Sequence, residues 1–308
     1  MTGKKLSVIT ISITTFDEQG RLDEDAYRKH MCRLRDGGVS VYVGGSGSGE
    51  GYSLTPEENA RILAIAVEEL KGKTGIYADG VEPRNAKEMI SFMRRVENSN
   101  VDAVRIMPLD PGHGSKPNVA ELEKYHCAVI ESTAAPLILT SHDSAGYILP
   151  IDLIERLANR YPHVCAINYG GKDTTYLAEL IKRMNSRLVV HCAGCTNGLA
   201  TLTLGGHGFM GNEGNLAPAL AHSVITAFES NDRDRLRAAF GKLMSLAMIV
   251  QRYGGSSLRG LKPALNAFGL PGGPLREPRL PLDAAEVQKM VNAIIELQIP
   301  ELAGLPKR

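Results

Sequence analysis

The sequence predicts a (β/α)8 barrel, the TIM-barrel architecture, with an all-helical C-terminal extension. Three observations carry that prediction. Eight short apolar runs alternate with longer amphipathic ones. Each apolar run is followed by a helix-like segment, the arrangement of a closed parallel sheet. After the eighth run the alternation stops and only helical periodicity remains. An open doubly wound sheet is the alternative, but it usually has fewer strands and a nucleotide loop after the first, absent here. The barrel is expected over 1–225 and the extension over 226–308, the two packed as one structural unit.

Strands are expected at Leu6–Ile13, Val39–Val43, Gly75–Ala78, Ala103–Met107, Pro136–Thr140, Val164–Ile167, Leu188–His191 and Gly208–Gly211. Helices are expected between them, at Glu24–Arg35, Pro56–Leu70, Asn85–Val96, Val119–Ser132, Pro150–Ala158, Thr175–Met184 and Gly198–Leu204. Their apolar residues recur at three and four, as in Ile62, Ile65, Ala66 and Leu70. Thr55-Pro56-Glu57-Glu58 supplies an N-cap, a first-turn proline and first-turn acids. The extension reads as long helices at Asn231–Tyr253, Ser257–Phe268 and Asp283–Leu297, the last two joined by the Pro/Gly-rich Gly269–Pro281.

A chain of 308 residues with 43% hydrophobic and 22% charged residues is ordinary for a globular protein with a large core. A formal net charge of +1 gives no global field toward nucleic acid or an anionic membrane. No apolar run approaches the roughly 20 residues that span a bilayer, and the N-terminal run is too short for a signal peptide. A cytoplasmic protein is expected. Five cysteines, an odd count, are no disulfide framework. Cys192 and Cys195 form a lone CxxC with no second pair to complete a zinc site, and two small residues packing a strand end account for it.

In such barrels chemistry lies where the strands end. The second strand ends in Gly44-Gly45-Ser46-Gly47-Ser48-Gly49-Glu50-Gly51, a strand-to-helix loop that lets backbone N–H groups and small hydroxyls approach an anion. It holds no Walker lysine and no convincing dinucleotide spacing. The other strand ends offer Asp79, Asp110, Thr140, His142, Asp143, Asn168, His191, Asn212 and Glu213. His142 and Asp143, being adjacent, would point to opposite sides of a strand. His207 lies at the entrance of the eighth strand and reads as structural.

Three stretches make the chain resemble the dihydrodipicolinate synthase / N-acetylneuraminate lyase family. They are Gly44 to Thr55, Leu204-Gly205-Gly206-His207-Gly208 leading into Asn215-Leu216-Ala217-Pro218, and Gly260-Leu261-Lys262 onward through Gly269 to Pro278. The resemblance implies the barrel, three C-terminal helices and a homotetramer or homodimer. It also implies a Schiff base between a strand-six lysine and a 2-oxo acid, a strand-five tyrosine relaying protons, and a glycine loop binding the carboxylate. At the matching positions this sequence has Asn168 for the lysine, Thr140 for the tyrosine and Pro108-Leu109-Asp110 for Pro-Tyr-Tyr. Ser48 takes the place of the loop hydroxyl. Lys172 falls in the loop beyond, where a solvated amine is a poor nucleophile.

The expected function is therefore a lyase, of aldolase or hydratase/dehydratase type, acting on a small 2-oxo acid or related carboxylate without the lysine imine. Asn168, Thr140, His142, His191 and Glu213 are the catalytic candidates, and Ser46, Gly47, Ser48 and Asn212 the substrate-binding ones. No cofactor is required. A divalent metal held by strand-end histidines and carboxylates is the alternative source of a Lewis acid. A non-catalytic carboxylate-binding or assembly member of the family is the alternative function.

Overall fold

The structure, a computed structural model, describes residues 4–255 and 257–305. Eight parallel strands close in sequence order into a barrel. They are β1 (Ser7–Ile11), β2 (Ser40–Val43), β3 (Ile76–Ala78), β4 (Ala103–Arg105), β5 (Leu137–His142), β6 (Val164–Gly170), β7 (Val189–Ala193) and β8 (Gly208–Met210). The helices between them are α1 (Glu24–Asp36), α2 (Pro56–Leu70), α3 (Ala86–Val96), α4 (Val119–Ile130), α5 (Ile151–Arg160), α6 (Thr174–Met184) and α7 (Gly198–Thr203). After β8 come α8 (Pro218–Glu229), α9 (Arg233–Gly254), α10 (Ser257–Ala267) and α11 (Ala284–Glu296).

The predicted strands are all present, and the (β/α)8 class holds. Two details differ. Helix α8 was not among the expected elements: it buries Leu220, Ala221, Val224, Ile225 and Ala227 and so shows little apolar–polar contrast along its sequence. The long helix expected from Asn231 starts at Arg233, because the Asp232 side chain accepts the Arg235 N–H at 3.0 Å as its N-cap. At α2 the capping box is complete. The Thr55 hydroxyl accepts the Glu58 N–H at 3.1 Å and the Glu58 carboxylate accepts the Thr55 N–H at 3.0 Å.

The chain packs as two compact units. One contains Tyr77–Met210 with the N-terminal residues through Leu6, and so carries β4 to β8. There, after a register shift between Leu137 and Ile138, the pairing runs on through Leu139↔Ile167↔Val190 and Thr140↔Asn168↔His191. Parallel partners in register share a face. Leu139, Ile167 and Val190 form an apolar row on the helix side, and the buried polar row Thr140, Asn168 and His191 lines the barrel. The other unit, Ser7–Ile76 with Gly211 onward, carries β1, β2, α1, α2 and α8 to α11. Its Asn215 stitches the turn after β8 to β1: Nδ2 donates to the Ile11 carbonyl at 2.8 Å and Oδ1 accepts the Ile13 N–H at 3.0 Å. Among the described residues no helix is long and apolar enough to cross a membrane.

Candidate functional site

At the ends of β3 to β7 a polar cluster forms around a residue absent from the sequence candidates, Arg105. This guanidinium is the last residue of β4, and its side chain is only 5% exposed. Nη1 meets the Asp79 carboxylate at 3.1 Å, and Nε donates to Thr140 Oγ1 at 2.9 Å. Asp79, one residue past β3, is 1% exposed and also accepts the Gly80 N–H at 3.1 Å. Burial pushes its carboxyl above the usual carboxylate range, and Arg105 pulls the other way. Thr140, which holds Arg105, is flanked in register by Asn168 and then by His191, all three buried. Strand β6 thus presents an amide in register with the threonine that holds the guanidinium, and no lysine lies between Val164 and Gly170.

His142, the last residue of β5, is the exposed member of this end, with 32% of its side chain accessible. Its Cα partner across the sheet is Gly170. A Cβ on Gly170 would lie 2.1 Å from His142 Cδ2 and 2.6 Å from Nε2. The imidazole therefore leans over β6 into space that only glycine leaves open. Nδ1 accepts the Ser144 N–H at 3.1 Å. Asp143 Oδ1 lies 3.5 Å from the same nitrogen, so the expectation that His142 and Asp143 point apart is corrected. The strand ends at His142 and Asp143 begins a 3-10 turn, where strand alternation no longer applies. Burial, and next the Arg105 charge, push the imidazole below its ordinary range, while Asp143 and Glu82 oppose this.

The remaining expected acids on this side have other partners. Asp110 pairs with Arg84 at 3.1 Å near the surface. Lys172 is exposed in the loop after β6. Cys192 and Cys195 are buried free thiols, and burial raises Cys192 to about 11, the behaviour of packed rather than reactive cysteine. His207 Nδ1 accepts the Val190 N–H at 3.0 Å, a structural role. Among the described residues no group of three or more His, Cys, Asp or Glu is arranged to hold a metal ion.

The glycine loop belongs to the other unit, and its acid turns inward. Glu50 is 0% exposed and sits at φ +51°. It forms an ion pair with Lys262 of α10, itself 1% exposed, and accepts the Arg276 N–H at 3.0 Å. Lys262 Nζ also donates to the Pro274 carbonyl at 2.8 Å and lies 4.5 Å from the centre of the Phe16 ring. Burial lowers the Lys262 ammonium, and Glu50 counters it. Arg276 stacks on the same ring at 3.9 Å and grips Glu58 through two bonds of 2.8 and 2.7 Å. The loop is folded on itself: a Cβ on Gly51 would stand 2.1 Å from the Gly44 carbonyl oxygen, and Thr14 Oγ1 donates to Gly49 at 2.7 Å. The sequence stretches 44–55 and 260–278 are therefore two halves of one latch.

Of the expected substrate-binding residues, Gly47 is exposed at the loop tip, Ser46 and Asn212 are half-buried, and Ser48 is fully buried. The Ser48 hydroxyl has no hydrogen-bond partner among the described residues. Glu213 is buried in the 3-10 turn after β8.

Comparison with known proteins agrees with the fold. Residues 4–297 match the model of the dihydrodipicolinate synthetase family. A 4-hydroxy-tetrahydrodipicolinate synthase 1 from Halalkalibacterium halodurans is 26% identical over 288 residues, which span 93% of this chain and 95% of the relative. A probable 5-dehydro-4-deoxyglucarate dehydratase from Methylobacterium radiotolerans is 27% identical over 293 residues, 93% of each chain. A prophage protein of the dihydrodipicolinic acid synthase family from E. coli K12, solved in complex with pyruvate, superposes with a TM-score of 0.87 at 22% identity. The match covers 96% of this chain and 99% of that one. An N-acetylneuraminate lyase from Fusobacterium nucleatum gives 0.83 at 17%, with the same coverage. At these identities the structural likenesses speak for the barrel alone.

Proposed function

The chain belongs to the dihydrodipicolinate synthetase family, whose members are lyases of synthase, dehydratase and aldolase type, and from that premise we propose an imine-free lyase acting on a small 2-oxo acid or related carboxylate. One observation carries the reading. Where the family resemblance calls for a strand-six lysine stands Asn168, and a buried cation in the same strand-end cluster is Arg105, held by Thr140 and unable to act as a nucleophile. An amide forms no imine. A guanidinium stabilises an enolate or carboxylate by charge and directed N–H groups instead.

The roles follow from chemistry. Arg105, set by Asp79 and Thr140, supplies the fixed positive charge. Asn168 orients the substrate through its amide, and His191 beside it is the proposed proton acceptor. Separately, in the other unit, the glycine loop with the Ser48 hydroxyl, which has no hydrogen-bond partner among the described residues, is proposed to receive a carboxylate. A homotetramer or homodimer is proposed on the resemblance, with light scattering as its check.

Borohydride trapping with pyruvate, followed by mass measurement, tests the proposal. An unmodified mass together with turnover of an oxo acid is expected. A reduced pyruvate adduct overturns the imine-free route, and its position tests Lys172 directly. Carboxylate binding without turnover would favour the carboxylate-binding alternative, and absence of both turnover and binding the assembly one.

A further inference from the structure

We propose that His142 is the electrophile of this site: a neutral imidazole, locked with its proton on Nε2, that hydrogen-bonds the carbonyl oxygen of the oxo acid over β6. The inference rests on the imine-free reading above and gives it a residue the reading lacks, a neutral donor aimed at the reacting oxygen.

Three observations support it. A backbone N–H is always a donor, so the Ser144 N–H on His142 Nδ1 leaves that nitrogen unprotonated. A neutral ring must then carry its proton on Nε2. The ring edge formed by Cδ2 and Nε2 fills the missing side-chain position of Gly170, on the face of β6 that also carries Asn168 two residues earlier. The donor nitrogen is therefore on the edge of the ring that lies against that face of β6. Finally, the ring is the accessible part of an otherwise buried cluster. The charges that face it are Arg105 from β4, Glu82 from the loop after β3 and Asp143 from its own turn. Burial and Arg105 together favour the neutral ring. A neutral imidazole donor suits a developing enolate better than a cation that would surrender its proton.

In the step this serves, the bond from hydrogen to the carbon next to the carbonyl breaks. Its proton passes to the base, its electron pair forms the carbon–carbon double bond, and the carbonyl oxygen takes the negative charge between the His142 Nε2–H and Arg105. No oxidant or second reactant is required.

The test has two readouts. Nitrogen NMR of protein labelled in histidine reads the tautomer without substrate. At about pH 6.5, where a free imidazole is half-charged, His142 is expected neutral with Nε2 protonated; a cationic ring or a proton on Nδ1 overturns the proposal. Loss of the methyl proton signal of pyruvate in heavy water reads enolisation. His142→Ala is expected to slow exchange by about 100-fold or more. His142→Gln, which keeps an N–H donor and cannot titrate, is expected to recover most of that loss with the wild-type pH profile. Gly170→Ala, which displaces the ring, should behave like His142→Ala. Exchange as fast in His142→Ala as in the wild type, a glutamine variant no better than alanine, or a wild type that exchanges no pyruvate overturns the inference. A borohydride adduct overturns the imine-free reading, and does so while leaving the tautomer result intact.

Discussion

Two buried ion pairs sit in the two units of this molecule, and they are built for opposite ends. Glu50–Lys262 joins a loop to a distant helix. The lysine has a carboxylate, a carbonyl and an aromatic face, and the carboxylate has the ammonium and a backbone N–H. Asp79–Arg105 joins neighbouring strand ends, and its carboxyl is held above its usual range by burial that one guanidinium only partly offsets. The first arrangement fixes a loop. The second sets a buried charge on Thr140, which is in register with Asn168 on the next strand. The lesson is that burial alone does not distinguish a latch from a site; the place of the pair does, one joining a loop to a helix and the other standing among polar strand ends.

The sharpest way to break this contrast is Lys262→Met. It strands the Glu50 carboxylate and should cost about 3–5 kcal/mol in chemical denaturation. The double variant Glu50→Gln/Lys262→Met should regain most of that. A loss under about 1 kcal/mol would remove the latch.

Arg105→Met should cost less stability, about 1–3 kcal/mol near neutral pH, because Asp79 can take up a proton once its guanidinium is gone. The folded carboxyl would then bind protons at a pH where the unfolded one does not. Stability should therefore increase as pH falls from neutral toward the unfolded carboxylate value of about 3.9. Asp79→Asn/Arg105→Met should restore stability while oxo-acid turnover stays lost. Recovery of turnover with stability would make this pair a second latch.

Each unit also holds a fully buried neutral histidine, His30 lowered to about 3 and His126 to about 4, both chiefly by burial. Here the unfolded state binds protons first, below about pH 6.5, so stability is lost as pH falls toward the folded values. Between pH 7 and 5 each should cost about 1–2 kcal/mol. His126→Gln should flatten the acid slope of the wild type, and an unchanged slope would remove that residue from the account. The smallest effect should come from Arg276→Ala, about 1 kcal/mol, measured as a shift in denaturation midpoint with little change in oxo-acid turnover.

The barrel was legible because its signal is local. Eight apolar runs and their helices follow from period two and period 3.6, and caps such as Thr55 with Glu58 lie three residues apart. Helix α8 escaped because it is apolar on too many sides to show a stripe. The strand-end rule selected Asp79, Thr140, His142, Asn168 and His191, and the structure sets Thr140, Asn168 and His191 side by side. Arg105 was passed over although its signal was present: one charge inside the apolar run Ala103-Val104-Arg105-Ile106-Met107. The acid of the glycine loop, Glu50, pairs with Lys262, a contact that the loop's own sequence does not signal.

By itself, then, the sequence determined the closed barrel and the order of its elements apart from α8, because each depends on residue type and short-range spacing. Only the tertiary structure decided which charge meets which. Glu50 and Arg276 are 226 residues apart in the chain, and no periodicity encodes such a pairing. Nor could any run of letters say which nitrogen of His142 carries its proton; that follows from one backbone N–H of Ser144 and the empty side-chain position of Gly170.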